Sequence, residues 1–171
     1  MNEPIDWERV AQQLGTLTPD GERGSSDDAL RAIELLIGED RLRAAVDYYI
    51  AGGRGRELAR CVLWQIHPWS AMRRCYEIYR SEADADDRVS AIELLRVVAD
   101  RRALPWVADF LADPNPGVQA WGAGLLDQLL WSRLVEAEEC EDLLRTAEGH
   151  PNDAVREKGK LVRGYLRARE R

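Results

Sequence analysis

Residues 88–130 read RVSAIELLRVVADRRALPWVADFLADPNPGVQAWGAGLLDQLL, and this stretch decides the fold. An apolar helix comes first, then a short break, Leu104-Pro105, and a second helix. The turn Asp113-Pro114-Asn115-Pro116 follows, and after it a third helix. Proline disfavours helical conformation in the residue before it, so both proline sites read as boundaries. The third helix repeats the small-and-apolar spacing of the first, and a module recurring at this interval predicts stacked helical hairpins.

The same spacing extends outward in both directions. From each of five starts, Asp28, Gly55, Asp87, Val118 and Val155, a small residue stands four positions on: Ala32, Ala59, Ala91, Gly122 and Gly159. Apolar residues follow at seven, eight and eleven: Val62, Leu63 and Ile66; Leu94, Leu95 and Val98; Leu125, Leu126 and Leu129. The outer two starts keep the pattern in part, with Leu35 and Leu36, then Val162 and Leu166. Glu39 and Arg163 break it. Small residues let a neighbouring helix approach, while the larger ones fill the seam between helices. One residue after the start stands Arg56, Arg88, Gln119 or Arg156, and an Arg here is expected to reach an Asp such as Asp86 or Asp153.

With those residues in place, Asp86 to Leu130 resembles HEAT repeats. The stretch ALPWVADFLADPNPGVQ (103–119) is close to that family's A-L-P…L…L-x-D-P-x-x-x-V-R turn, with Gln119 where an arginine is usual. The resemblance implies an all-α, right-handed α-solenoid of about five helical hairpins. First helices would line the convex face. Second helices, about 40–51, 69–80, 103–112 and 136–147, would line the concave one. Residues 1–26 would form an N-terminal helix, about Asp6 to Leu14, and a Pro/Gly/Ser-rich linker, packed on a repeat domain spanning 27–171.

Composition bounds the partner. The chain carries 45% apolar and 32% charged residues, with no apolar run long enough for a bilayer. The start, MNEPIDWERV, has early acids and no apolar core of a secretory signal, so a cytoplasmic location is expected. The net charge is -7, yet residues 153–171 hold seven bases against three acids (+4), which leaves -11 on residues 1–152. An acidic body disfavours a nucleic-acid groove and favours a basic protein partner. The tail predicts an amphipathic helix with Val155, Leu161, Val162 and Leu166 docked. Cys61, Cys75 and Cys140 lack C-x-x-C spacing and read as buried reduced thiols.

Nothing in the chain calls for catalysis, a cofactor or a metal. The loop Ala51-Gly-Gly-Arg-Gly55 lacks the Lys-Ser or Lys-Thr of a phosphate cradle and reads as a turn. His67 and His150 each precede a proline, which places both in interhelical loops without partner ligands at suitable spacing. Aromatic residues carry more weight, because Pro68-Trp69 and Pro105-Trp106 occupy matching places. Met72, Tyr76 and Tyr79 form an apolar stripe that leaves Arg73, Arg74, Glu77 and Arg80 outside. Acidic runs at 82–87 and 136–142 start helices, where they complement the helix dipole or steer a basic partner. The expected partner-binding set is therefore Trp69, Arg73, Tyr76, Arg80 and Trp106 as anchors, with Asp84, Asp86, Glu138, Glu139 and Glu141 as steering charges. Short, acidic, HEAT-like chains resemble bacterial immunity proteins of contact-dependent and polymorphic toxin systems. That resemblance implies a monomer, or a heterodimer with a toxin, that binds no membrane. A general scaffold, or a HEAT-like lyase or glycosylase, is the alternative.

Overall fold

A computed structural model describes residues 4–81 and 83–169, so Glu82 of the first acidic run lies outside the described residues, as do Glu170 and Arg171. The protein is all-α. Helix α1 (Trp7–Leu14) leads through a two-residue hairpin, β1 (Leu17–Thr18) and β2 (Gly21–Glu22), into α2 (Ser26–Ile37). Then come α3 (Glu39–Ile50), α4 (Arg56–Ile66), α5 (Trp69–Arg80) and α6 (Ala85–Val98). A 3-10 segment, Arg101–Trp106, runs into α7 (Val107–Leu111), followed by α8 (Pro116–Trp131). After a 3-10 turn, Glu138–Cys140, the chain ends in α9 (Glu141–Glu148) and α10 (Asp153–Arg169). The expected linker thus contains a small hairpin, which Thr18 closes by donating from Oγ1 to the Gly21 carbonyl at 2.7 Å. Among the described residues ten α-helices stand where five hairpins are expected. Helices α1 and α2 lead, and the closely packed pairs are α3–α4, α5–α6, α7–α8 and α9–α10, one helix out of step with the expected hairpins.

Local sequence sets the helix starts. Ser25 and Asp28 form a reciprocal capping box at α2, Asp84 caps α6, and Asn115 caps α8 immediately before Pro116. Packing follows the chain. Each of α3, α5, α7 and α9 packs on the helix after it, while α4 touches α6, α6 touches α8 and α8 touches α10. The core runs through these seams, from Leu42, Val46 and Leu63 through Leu94, Leu95, Phe110 and Leu125 to Leu144 and Val162.

Glycine marks where helices come closest. A Cβ on Gly122 would stand 2.5 Å from the Phe110 Cβ, and one on Gly159 would stand 3.0 Å from the Glu148 nitrogen. The small residues of the repeat therefore admit α7 and α9 as their spacing predicts. Burial of the larger positions is uneven. Leu94, Leu95, Leu125 and Leu126 are buried, but Leu35, Leu36 and Val62 are exposed, because α2 and α4 have little packed on their outer flanks. Leu161 is exposed too, so the terminal helix docks through Val155 and Val162 with Leu166 half-buried. Cys61 is exposed, while Cys75 and Cys140 are buried as free thiols.

Candidate functional site

The seam between α5 and the 3-10 segment with α7 is aromatic. Pro68 ends the preceding turn and Trp69 begins α5; Pro105 sits within the 3-10 segment and presents Trp106. The Trp69 and Trp106 rings stack with centroids 5.5 Å apart and planes 16° apart. Trp106 stacks in turn on Tyr76 at 4.5 Å and 10°. Tyr79 meets Phe110 edge-on at 4.9 Å. Guanidinium groups close both ends, with Arg102 5.1 Å from the Trp69 centroid and Arg88 5.2 Å from that of Tyr79. Each aromatic pair contributes about 0.5–1.5 kcal/mol beyond area burial, so the column fixes its own geometry.

Polar tips anchor the column. Tyr76 donates its hydroxyl to Asp109 Oδ2 at 2.6 Å. Burial first, and then this bond, push the Tyr76 phenol above its ordinary pKa. Burial and the nearby Asp113 charge push Tyr79 up to about 12. At the N-terminus of α5, the Glu34 carboxylate accepts from Trp69 N at 3.1 Å, Ser70 N at 2.9 Å and Ser70 Oγ at 2.7 Å. Trp69, Tyr76 and Trp106 remain half-buried, whereas Tyr79 and Phe110 are buried.

The seam between α3 and α5 has an apolar core and an ionic outer edge. Arg43 bridges to Glu77 (Nη1 to Oε1 3.0 Å), Arg74 to Asp47 at 2.8 Å, and Arg73 to Glu39. Arg73 thus lies outside the apolar stripe as expected, its side chain paired to α3. Arg80 is exposed and forms no ion pair among the described residues.

The acidic candidates divide between two edges. Asp84 caps α6 by accepting from Asp87 N at 2.8 Å, and Asp86 is exposed in the first turn. Glu138, Glu139 and Glu141 lie at the opposite turns, where Arg101 pairs with Glu139 at 2.9 Å. Arg163 holds Glu141 at 2.7 Å and Glu148 at 3.2 Å, and its hydrogen bond keeps the Glu141 carboxyl below the usual carboxylate range. The reading of Glu139 and Glu141 as unpaired is corrected accordingly, and Glu136 and Glu138 are the exposed carboxylates of that run without an ion pair among the described residues. Arg88 also departs from expectation. It reaches past Asp86 to the buried Asp113 of the next turn, at 2.6 Å. Gln119 does not end this row of contacts: it donates to the Asp113 carbonyl at 2.6 Å and accepts from Asn152 at 2.9 Å.

The histidines serve the loops. His67, at φ 43°, sets Nδ1 2.9 Å from the Val98 carbonyl, and buried His150 sets Nε2 2.9 Å from the Leu111 carbonyl. Among the described residues no cluster of three His, Cys, Asp or Glu side chains could hold a metal ion. None of the described helices is long and apolar enough to cross a membrane. Sequence reasoning missed Arg102, Asp109 and Glu34. Only Asp109 carried a signal, standing three residues after Trp106 and so on the same helical face. Comparison of the chain with protein-family models, curated proteins and solved structures finds no match.

Proposed function

We propose that the chain is a HEAT-like solenoid that binds a protein without catalysis, and that its partner is a basic bacterial toxin domain which it neutralises. The observation that carries this reading is the Trp69–Trp106–Tyr76 stack. Its rings are held by mutual stacking, by Arg102 over Trp69 and by the Tyr76–Asp109 bond, yet stay only half-buried. Rigid, half-exposed Trp and Tyr bury large areas on binding at little ordering cost, which is why such residues dominate interface energetics. The solenoid is supported by the succession in which alternate helices touch and each pair packs on the next. The basic partner is supported by the net charge of -7 and by exposed carboxylates such as Asp86 and Glu138.

The test co-expresses the chain with the protein encoded beside it in its native genome and scores survival. Binding of the purified pair is measured by interferometry. Survival, nanomolar binding and a rise in Kd of about 30-fold for Trp106→Ala, with helicity retained by circular dichroism, is the expected result. Cell death at equal expression removes the toxin reading. Unchanged affinity in Trp106→Ala removes the aromatic stack as the binding site.

A further inference from the structure

A second surface lies away from the aromatic stack. Between α3 and α4 a groove of about 460 Å³ opens to solvent, floored by Leu42, Ala45 and Leu63 and walled by Tyr48, Leu58 and Val62. Leu58 is 70% exposed, Tyr48 47% and Val62 44%. Further along the chain the positions matching Val62 are Leu94 and Leu125, both fully buried. The difference lies in what flanks each helix. Helix α6 has α4 beside it and α8 has α6, while α2 touches α4 only slightly and contributes no fully buried residue. The space beside α4 is therefore one that a helix fills in later layers.

Charge selects the kind of helix. Arg41 and Arg54 stand at the rim, and no carboxylate lines the groove. The other four clefts described on this surface each contain at least one Asp or Glu. Nearby Glu39 and Glu57 are already engaged, the first by Arg43 and Arg73, the second by Arg56 and Arg60. On a chain of net charge -7, this apolar trough is a local cationic exception. A second copy docking through the same groove about a two-fold axis would set Arg41 and Arg54 against their own equivalents, which disfavours self-association there.

We propose that the α3–α4 groove receives an amphipathic helix from another protein, its apolar stripe on Tyr48, Leu58 and Val62 and its acidic flank on Arg41 and Arg54. This is the helix-in-groove mode of recognition, read as anchors at i, i+3, i+4 and i+7. It is independent of the toxin reading, because it uses neither the aromatic column nor the acids.

Two synthetic helical peptides test it. They share one Leu stripe and differ only in flanks, Glu in one and Lys in the other. Each is titrated with the full chain and followed by fluorescence anisotropy. The chain's overall charge draws the Lys peptide, so a preference for the Glu peptide reports the groove itself. The expected result is about tenfold tighter binding of the Glu peptide, one decade of Kd. The double variant Arg41→Glu, Arg54→Glu reverses that preference and Leu58→Ser weakens both peptides; all three side chains are exposed, so the fold stays intact. Trp106→Ala leaves peptide affinity unchanged. Equal affinities, a Lys preference or no binding overturns the proposal. So does a dimer in light scattering that Leu58→Ser dissociates, since a second copy would then be the occupant.

Discussion

The Glu34 carboxylate of α2 caps α5 by receiving both the backbone N–H and the side-chain hydroxyl of Ser70, at 2.9 and 2.7 Å. No side chain within α5 does this, because Pro68 precedes the helix and offers no capping oxygen. A residue 36 positions away therefore satisfies the orphan donors and fixes where Trp69 enters the aromatic column. Glu34→Ala is expected to cost about 1–2 kcal/mol, in the range of a lost N-cap. The loss is read as a lowered denaturation midpoint with an unchanged m-value.

Glycines at two positions predict opposite outcomes. Gly122→Ala forces a methyl to 2.5 Å from the buried Phe110 Cβ and should destabilise by at least about 1–3 kcal/mol. Gly164 lies inside α10, where a Cβ meets nothing within 4 Å, so Gly164→Ala should stabilise by about 0.5–1 kcal/mol. Thermal melts of the two variants side by side check both signs.

Ion pairs are likewise unequal. Asp113 is only 4% exposed beside Arg88, and it also accepts from Asn115 N at 2.8 Å. Arg88→Ala strands that carboxylate and is expected to cost about 3 kcal/mol or more. Arg145→Ala removes only exposed pairs to Glu141 and Asp142 and should change stability by less than about 1 kcal/mol. Urea titrations of the two variants separate them.

Acid should act through Glu77 and Glu141, whose carboxyl pKa values are lowered first by hydrogen bonds from Arg43 and Arg163 respectively. A lowered folded pKa adds stability above the unfolded value of about 4.3, and this is lost as pH falls through the folded value. Glu77→Gln should therefore melt lower than the parent at neutral pH. Below the ordinary carboxylate range the two melting curves converge, and a gap that persists there would refute the assignment.

Thiol chemistry reports burial. Burial raises the Cys75 thiol far above its usual range and Cys140 to about 11, whereas Cys61 is exposed on α4. A disulfide reagent at mildly alkaline pH should modify Cys61 alone in the folded protein, and all three thiols in denaturant.

Helix positions were legible in the chain because proline, glycine and apolar period act over a few residues. The second helices expected at 40–51 and 69–80 occur at 39–50 and 69–80. Trp69 and Trp106 stood out by their matching places after proline, but that they stack on each other became visible only in the fold. What a given face meets was less legible. Leu35, Leu36 and Val62 carry the same apolar signal as Leu94 and Leu125, yet their exposure depends on neighbours that local spacing does not encode. Charged partners were hardest. Arg88 bypasses nearby Asp86 for Asp113, 25 residues on, and Arg73 reaches Glu39, 34 residues back. Such choices follow from how neighbouring helices align, which periodicity leaves open.

The two flanks of α5 differ in kind. Charges line the exposed edge between α5 and α3, and screening weakens such pairs as electrolyte rises. Rings line the edge between α5 and α7. Beneath the charges, Leu42 and Val46 of α3 share a buried core with Met72 and Cys75 of α5. Concentrated salt should therefore loosen only the rim of that junction, and amide exchange in α3 should quicken slightly while its buried register stays put. One helix thus carries an ion-sensitive border and an ion-indifferent one, over an oily keel that electrolyte does not reach.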